Sequence, residues 1–286
     1  MASYTGSHEA FGPAQSPSLN GFALPKSNAV PDEDQPLLGS RLSSSPGSKG
    51  RRRSMMVDVR RDWADLVLLS CYLITGLLDS ASISIWGSFV SMQTGNSVYL
   101  GLGLAAPTES TRWIKSGVSI IAFCLGSFVF GRFHRYFSPK RRWVLCASFL
   151  VQMLLVSAAG AIVTFGPAGD EGKKDEITWN VLAPIALVAF QSCGQAVTSR
   201  AIGHNALTSV VLTTIFCDLF SDPGLFHLRN AERNRRAAAS VLLVAGAISG
   251  GLLAHSRAGI AGALWTAAVL KLGIVVTWFF WPAEMD

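Results

Sequence analysis

The chain has 286 residues, of which 50% are hydrophobic and only 15% are charged. Soluble domains carry about 25% charged residues, so this composition argues against a soluble enzyme. It also argues against a wholly disordered chain and, with five cysteines and no CxxC spacing, against a disulfide scaffold. A formal net charge of +6 on a chain with a mean hydropathy of +0.37 is typical of a multi-span membrane protein.

The first 62 residues differ from the rest of the chain. They are rich in Ser, Pro and Gly and have no apolar periodicity, which is typical of a disordered tail. No apolar core follows the initiator Met, so a signal peptide is not expected. The sequence predicts a disordered cytoplasmic tail over 1–62, a first transmembrane half over 63–165, a non-cytoplasmic loop over 166–177 and a second transmembrane half over 178–286.

Charges beyond the tail stand in short clusters between long apolar runs. About 20 apolar residues, each rising about 1.5 Å, cross the hydrocarbon core as a helix. The runs therefore predict an all-α membrane protein with six transmembrane helices, at 66–88, 116–137, 143–165, 178–200, 237–256 and 259–281. Two shorter apolar pieces remain, at 92–106 and 206–220.

The basic clusters decide how these two short pieces are interpreted, because basic loops face the cytoplasm. Five arginines lie within 51–61, and further basic clusters occupy 140–142 and 229–236. If both short pieces are re-entrant or half-helix segments, every basic cluster is cytoplasmic and the acidic loop is on the other side. The alternative is a seventh or eighth full span with one basic loop misplaced.

With this topology the two halves have the same order of elements: span, re-entrant piece, span, span. Three spans per half is an odd number, so the halves point in opposite directions and predict an inverted three-plus-three repeat, as in many transporters. The pair Gly126 and Gly131 recurs 120 residues later as Gly246 and Gly251, but chance explains such a match easily, so the repeat rests on topology. The spacings of Gly246 with Gly250 and of Gly259 with Ala263 favour close helix contacts, although Gly and Ala are common in any membrane helix.

Asp79 is the most informative residue of the first span, because no other charged residue occurs between Leu66 and Thr108. A charge at membrane depth costs a few kcal/mol, so Asp79 should face protein or water. Residues at steps of three and four share its helical face: Tyr72, Thr75, Ser82 and Trp86. Two interpretations stay open, a protonated carboxyl bonded between helices or a solute or proton site.

The residues Thr94, Gly95 and Asn96 interrupt the apolar stretch that follows. Gly-Asn pairs favour turns, and irregular backbone at membrane depth is tolerated only inside protein or along a cavity. We expect a break that lines a solute-binding site. The alternative is an ordinary surface turn between two spans.

Lys271 lies near the middle of the last predicted span, where its ammonium group cannot easily reach water. Pairing with Asp79 would lower the cost of both charges. Gln191, Gln195 and Thr198 share one face of the fourth span and either line the same path or bond between helices. Because no catalytic, cofactor-binding or metal-ligating spacing occurs, neither an enzyme nor a cofactor is expected.

Residues 76–80 read Gly-Leu-Leu-Asp-Ser, and 89–98 read Phe-Val-Ser-Met-Gln-Thr-Gly-Asn-Ser-Val. This combination resembles the YoaK-like family, the domain of unknown function 1275, a membrane family of bacteria and fungi. The family pattern is similar to an Asp in the first helix followed by an M-T-G-N-type turn, from which Gln93 departs. The segment 212–215 departs from a second-half Thr-Gly. The resemblance spans roughly 64–281 and implies a multi-pass membrane protein, without naming a substrate.

The tail carries a candidate sorting motif. Glu33, Leu37 and Leu38 fit the acidic dileucine pattern, which clathrin adaptors read on cytoplasmic tails, although so short a pattern also arises by chance. It favours the plasma membrane or an endosomal or vacuolar membrane. The basic surplus is accounted for by orientation in the bilayer, so nucleic-acid binding is not expected.

The function that these features favour is a small-solute transporter or channel with a site near Asp79 and the break at 94–96. The alternative is a non-transporting membrane scaffold or assembly protein. Its partners would be the lipid bilayer and other chains, and a homo-oligomer is compatible with either function.

Overall fold

The computed structural model describes residues 64–138, 140–166, 177–203, 209–227 and 230–281, together with positions 55 and 58. The predicted disordered tail, apart from those two positions, lies outside the described residues, and so do Glu33, Leu37 and Leu38 of the sorting motif. The described residues form eight helices and no strand, and all of them lie in one unit of the chain, 45–286. The helices are α1 (Ala64–Ile85), α2 (Gln93–Ala105), α3 (Arg112–Phe137), α4 (Arg142–Phe165), α5 (Trp179–Ala201), α6 (Leu212–Phe220), α7 (Ala231–Ala254) and α8 (Gly259–Phe280).

Six of these helices are long and apolar enough to cross a membrane, namely α1, α3, α4, α5, α7 and α8. The prediction of an all-α membrane protein with six spans is confirmed. The largest error is at α7, which begins at Ala231 rather than at 237. Its first turn is polar. The helix can begin there because the Asn230 side chain caps it by accepting the N–H of Arg233 at 3.0 Å. Such caps start helices ahead of their apolar part.

The two remaining helices are short. α2 has 13 residues and α6 has nine. At about 1.5 Å per residue they measure about 20 Å and about 14 Å, less than the hydrocarbon core of about 30 Å. Neither helix can cross the bilayer alone, which supports their interpretation as half-helix pieces. Their re-entrant placement stays a prediction.

The α1–α7 interface is a direct contact between helix backbones. A Cβ atom built on Gly246 would lie 2.0 Å from the carbonyl oxygen of Leu73, and one on Gly250 would lie 2.2 Å from that of Leu77. Real Cβ atoms never approach so closely, so only glycine fits at either position. The close contact predicted from the GxxxG spacing is confirmed.

The α3–α5 interface is built in the same way, since a Cβ on Gly126 would lie 2.3 Å from the carbonyl oxygen of Phe190. Gly126 in α3 and Gly246 in α7 therefore both allow a neighbouring helix backbone to approach closely. Gly259 differs, because it begins α8 with φ +54 and its Cβ would meet nothing within 4 Å. The spacing of Gly259 with Ala263 predicted a close contact with another helix, and this is wrong at Gly259. Gly259 instead adopts a left-handed backbone conformation.

The helix contacts repeat between the two halves. α1 packs on α7 as α5 packs on α3, α2 packs on α3 as α6 packs on α7, and α4 packs on α5 as α8 packs on α1. α4 and α8 pack on each other. Exchanging α1–α4 for α5–α8 thus maps each of these contacts onto another contact of the set, and the α4–α8 contact onto itself. This correspondence supports the predicted three-plus-three repeat.

The basic ends of the helices meet at one end of the bundle. Arg235 forms an ion pair with Asp65 at 2.6 Å, which joins the starts of α7 and α1. Arg142 donates to the carbonyl oxygen of Trp281 at 2.5 Å, which joins the start of α4 to the end of α8. A bridge between Asp58 and Arg141 brings the segment before α1 to the same place. The described basic residues within 140–142 and 229–236 therefore lie at one end of the bundle, as the charge pattern predicts.

Candidate functional site

The loop 86–92 connects α1 to α2 and is the irregular backbone nearest to Asp79. It begins with Gly87 at φ +76, a conformation that glycine adopts without strain. The Arg112 guanidinium donates to the Gly87 carbonyl at 2.9 Å, and the Ser82 hydroxyl donates to the Ser88 carbonyl at 2.6 Å. Side chains of neighbouring helices thus take the place of the missing helical hydrogen bonds.

Asp79 lies nearly two turns before the end of α1 and is partly buried. Its Oδ1 accepts the backbone N–H of Val90 at 2.8 Å and of Ser91 at 2.9 Å, and its Oδ2 bonds to the Ser91 hydroxyl. Backbone groups without helical partners need such acceptors when they are removed from water. Asp79 therefore anchors the loop 86–92 against α1.

Asn96 anchors the same loop from α2 and is completely buried. Its Oδ1 accepts the N–H of Phe89 at 3.0 Å, and its Nδ2 donates to the Phe89 carbonyl at 2.8 Å and to the Ser119 hydroxyl oxygen at 3.0 Å. From α5, Ser192 donates to the carbonyl of Val90 at 3.0 Å. Four helices therefore bind one short loop.

The predicted break at Thr94, Gly95 and Asn96 is wrong in position, because these residues form the first turn of α2 and the irregular backbone is the loop 86–92. The reason is that the Asn96 side chain ties the loop to the first turn of α2: it bonds to Phe89 of the loop, and its Nδ2 also donates to Gln93 Oε1 in its own turn at 3.0 Å. Gly95 leaves room for this arrangement, since a Cβ there would lie 2.8 Å from the Phe89 ring. Thr94 is exposed.

Lys271 lies in the interior of the bundle and is completely buried. Its Nζ donates to Oε1 of Gln152 at 2.8 Å and to Oε1 of Gln195 at 3.2 Å, and it lies 5.6 Å from the centre of the Phe149 ring. Within the described part of the chain no carboxylate bonds to it. The hypothesised ion pair with Asp79 is not formed, because the loop 86–92 occupies the oxygens of Asp79.

We call Lys271, Gln152, Gln195 and Thr75 the lysine cluster. The Gln195 amide donates to Thr75 Oγ1 at 2.5 Å, which connects α5 to α1. The bond from Lys271 to Gln152 connects α8 to α4. In the repeat, α1 corresponds to α5 and α4 corresponds to α8. Two bonds of the cluster thus join equivalent helices of the two halves, and the third, from Lys271 to Gln195, joins α8 to α5.

A polar chain continues from the lysine cluster toward the basic end of the bundle. Gln152 Nε2 donates to Ser148 Oγ at 3.4 Å, and Ser148 lies 3.3 Å from Thr198 Oγ1. His134 Nε2 completes the chain, at 3.3 Å from Ser148 and 3.1 Å from Thr198. His134 belongs to the last turns of α3, so the hydrogen-bonded chain runs from the bundle interior to a helix end.

Three buried polar atoms near this chain have no hydrogen-bond partner among the described residues: Oε1 of Gln191, Nδ1 of His134 and Nε1 of Trp278. Gln191 precedes Gln195 by one turn, and Trp278 follows Lys271 by two turns on the same face of α8. An unsatisfied buried polar group costs about 1–3 kcal/mol, and most such groups in proteins have a partner. Water or a bound solute would supply one.

The predicted site residues did not include Gln152, Ser148 or His134. Gln152 and Ser148 stand four residues apart in the apolar run 143–165, which is the signal that could have placed them on one helix face. The other predicted site residues separate into two groups. Asp79 and Asn96 hold the loop, Gln195 and Lys271 belong to the lysine cluster, and Gln191 lies beside it.

Residues 67–277 match the family described as protein of unknown function (DUF1275). The chain belongs to this family. No curated protein and no solved structure matches the chain. The DUF1275 region covers nearly all of the six membrane-competent helices and includes both the loop 86–92 and the lysine cluster. It confirms the resemblance drawn from the segments around Asp79 and Asn96.

Proposed function

We propose that this DUF1275 protein is a transporter or channel for a small solute, and that the solute binds at the lysine cluster as an anion. The observation that carries the proposal is the completely buried Lys271, whose Nζ is bonded to two neutral amide oxygens. A charge at membrane depth is expensive and marks a functional site by default. In the described residues no carboxylate bonds to Lys271, so an anionic solute would supply the balancing charge.

The position of the lysine cluster in the repeat supports this proposal. In transporters built from inverted repeats, the substrate site lies near the bilayer midplane, where the two repeats meet. Lys271 and Gln152 belong to equivalent helices, as do Gln195 and Thr75. An anion entering between them would meet the Lys271 ammonium together with two amide groups that can turn their N–H toward it.

The loop 86–92 contributes indirectly. Asp79 and Asn96 have most of their hydrogen-bonding capacity satisfied by this loop, so we propose that they position it rather than bind the solute. Ser192, which donates to the loop at Val90, precedes Gln195 of the lysine cluster by three residues of α5. A displacement of the loop would therefore reach the cluster through α5. Thr94 and Gly95 belong to the first turn of α2, and we propose that they affect the loop only by positioning Asn96.

The scaffold alternative draws less support. It was based partly on small-residue faces that could bind another chain. Gly246 and Gly250 are covered by α1 of the same chain, and Gly126 is covered by α5. These faces are used inside the bundle, so they do not favour an external partner.

Flux measurements on the purified full chain in liposomes test the transport proposal. The solutes are chloride, nitrate, acetate and phosphate, with glycerol and choline as neutral and cationic comparisons. We expect flux of at least one anion, and a loss of at least tenfold in Lys271→Met. The matched control is Thr277→Val on the same helix, because Thr277 is exposed and its hydroxyl bonds only to its own helix at the Gly273 carbonyl.

Two results would contradict the proposal. One is flux no greater than in protein-free liposomes for every solute. The other is equal anion flux in wild type and Lys271→Met while Thr277→Val behaves as wild type. Flux of a neutral or cationic solute that depends on Lys271 would keep the transport function and overturn the substrate class.

We also propose that the N-terminus faces the cytoplasm, and that Glu33, Leu37 and Leu38 direct the protein to an endosomal or vacuolar membrane through a clathrin adaptor. Replacing Leu37 and Leu38 with Ala should move a fluorescently tagged protein to the plasma membrane. The control replaces Leu19 and Leu24 of the same tail. Identical localisation of both variants and wild type would remove the sorting proposal and leave the transport proposal intact.

A further inference from the structure

The second half of α3 carries an open groove of about 850 Å³ on its surface. It is lined by Phe128, Arg132, Phe133, Arg135 and Tyr136. Both arginines are exposed, and so are Phe128 and Tyr136, whose exposed fractions are 59% and 82%. The groove therefore combines two accessible cations with accessible aromatic rings on a membrane-competent helix.

The segment of chain that carries this groove has charges of one sign. No Asp or Glu occurs between Glu109 and Asp170, and Lys140 follows shortly after the groove residues. The Arg132 guanidinium lies 5.0 Å from the centre of the Phe128 ring, and Arg135 Nε donates to the Gly131 carbonyl at 3.2 Å. Both side chains keep further N–H groups, and a guanidinium can bind two phosphate oxygens at once.

Aromatic rings place the groove at the edge of the bilayer. Phe133, Phe137 and Trp143 pack together, with ring centres 5.0 to 6.1 Å apart, at the end of the bundle where the basic clusters lie. Trp and Tyr are the aromatic residues enriched at the level of the lipid headgroups, and Trp143 of this cluster and Tyr136 of the groove are of these types. Phe128 lies about 12 Å deeper along α3 than Tyr136, and next to it Leu125 is also exposed.

We propose that this groove is a binding site for an anionic phospholipid. Arg132 and Arg135 hold the phosphate, Tyr136 lies at the headgroup level, and an acyl chain runs along Phe128 and Leu125 toward the bilayer centre. The depth order of cations and rings matches the order of phosphate and acyl chain in a lipid. This proposal does not rest on the transport function.

Native mass spectrometry of the full chain in detergent, with phosphatidylserine or phosphatidylcholine added, tests the site. We expect wild type to retain phosphatidylserine in preference to phosphatidylcholine. Arg132→Gln and Arg135→Gln should each lower that retention about fivefold, since a basic residue at the membrane surface contributes about 1 kcal/mol to anionic lipid binding. The matched control is Arg257→Gln, which removes an exposed arginine from the connection between α7 and α8.

A thermal unfolding measurement checks that each variant is folded, and Phe128→Ala tests the acyl-chain contact by lowering retention of both lipids. Equal retention of phosphatidylserine by the folded Arg132→Gln, Arg135→Gln and Arg257→Gln proteins would overturn the proposal. Displacement of the lipid by millimolar glycerol phosphate would also overturn it, because the groove would then bind a free phosphate rather than a lipid.

Discussion

Lys271 donates a hydrogen bond from Nζ to Oε1 of Gln152 at 2.8 Å, across the contact between α8 and α4. These are equivalent helices of the two halves, and the bond from Gln195 to Thr75 likewise joins the equivalent helices α5 and α1. A buried ammonium group is thus held where the halves of the bundle meet. The groups that bond to it are neutral amides, so the buried charge is an energetic cost, and this is the basis of the proposed anion site.

The bond between Lys271 and Gln152 predicts coupled effects of substitution. Gln152→Leu alone should destabilise the protein by about 3 kcal/mol, because it leaves a buried charge with one partner fewer. Combined with Lys271→Met it should cost less than the sum of the two, by about 0.5–3 kcal/mol. Unfolding in detergent measures this coupling. Lys271→Met combined with Thr277→Val is the control and should be additive; additivity in both pairs would contradict the contact.

The anchoring role of Asp79 predicts a difference between two substitutions. Asp79→Ala removes the acceptor of two buried N–H groups, at Val90 and Ser91, and should lower stability by about 2–4 kcal/mol. Asp79→Asn retains one oxygen for both N–H groups, and its amide can donate to the Ser91 hydroxyl, so it should cost less than half as much. Thermal unfolding compares them, with Ser97→Ala as the control because the Ser97 hydroxyl is exposed and bonds within its own helix. Equal losses in both Asp79 variants would show that the charge itself is needed.

The α1–α7 contact predicts opposite effects for two Gly→Ala substitutions. Gly246→Ala places a Cβ 2.0 Å from the Leu73 carbonyl oxygen, so it should force the two helices apart. We expect it to lower the free energy of unfolding by about 1–3 kcal/mol or more, as overpacking does. Gly273→Ala on α8 meets nothing within 4 Å and should raise stability by up to about 1 kcal/mol through helix propensity. Denaturation of the two variants in the same detergent checks both signs. A neutral Gly246→Ala would argue against direct backbone contact.

Asp222 predicts a pH dependence in the connection between α6 and α7. Its Oδ1 accepts the N–H of Gly224 at 2.8 Å, and its Oδ2 lies 3.1 Å from the Asn230 amide and 3.4 Å from Arg236. The Gly224 hydrogen bond, followed by the Asn230 bond and the Arg236 charge, lowers the pKa of Asp222 below its usual value of 3.8. A carboxyl group with a lowered folded-state pKa stabilises the fold above its unfolded-state pKa.

That contribution is lost as the pH falls through the lowered pKa of Asp222. Stability of the wild type should therefore decrease on acidification below about pH 4, and Asp222→Asn should lower stability at pH 7 while removing this part of the acid dependence. Thermal unfolding between pH 7 and pH 3 measures the effect. Asp218→Asn, four residues earlier on α6, is the control for the loss of one negative charge. Parallel pH profiles of wild type and Asp222→Asn would contradict the prediction.

Much of the fold could be predicted because hydropathy and length are local properties of the chain. Each of the six membrane-competent helices is an apolar run that must satisfy its own backbone in lipid, so its existence needs no knowledge of its neighbours. The close approach at Gly246 and Gly250 also has a local signal in the GxxxG spacing. The start of α7 was missed because a cap at Asn230 extends the helix into polar residues.

The candidate site could be predicted only in part. Asp79 and Lys271 stand out in the sequence as charges inside apolar runs, but their partners are distant in the chain. Gln152 lies 119 residues from Lys271, and its bond exists only because α4 and α8 pack together. The break predicted at Thr94 lies instead in the loop 86–92, because the Asn96 side chain bonds to Phe89 and Ser119 as well as to Gln93 of its own turn.

The sequence by itself determined the class of protein, the number of spans and two charges that lie inside apolar helices, Asp79 and Lys271, although it did not single out Lys115, which is also buried. It did so because transfer of polar groups into lipid is costly residue by residue. The tertiary structure alone decided that Asp79 and Lys271 belong to separate hydrogen-bond networks, and that the lysine cluster joins equivalent helices of the two halves. Which polar groups meet depends on helix packing, and packing depends on the whole set of contacts rather than on any one segment.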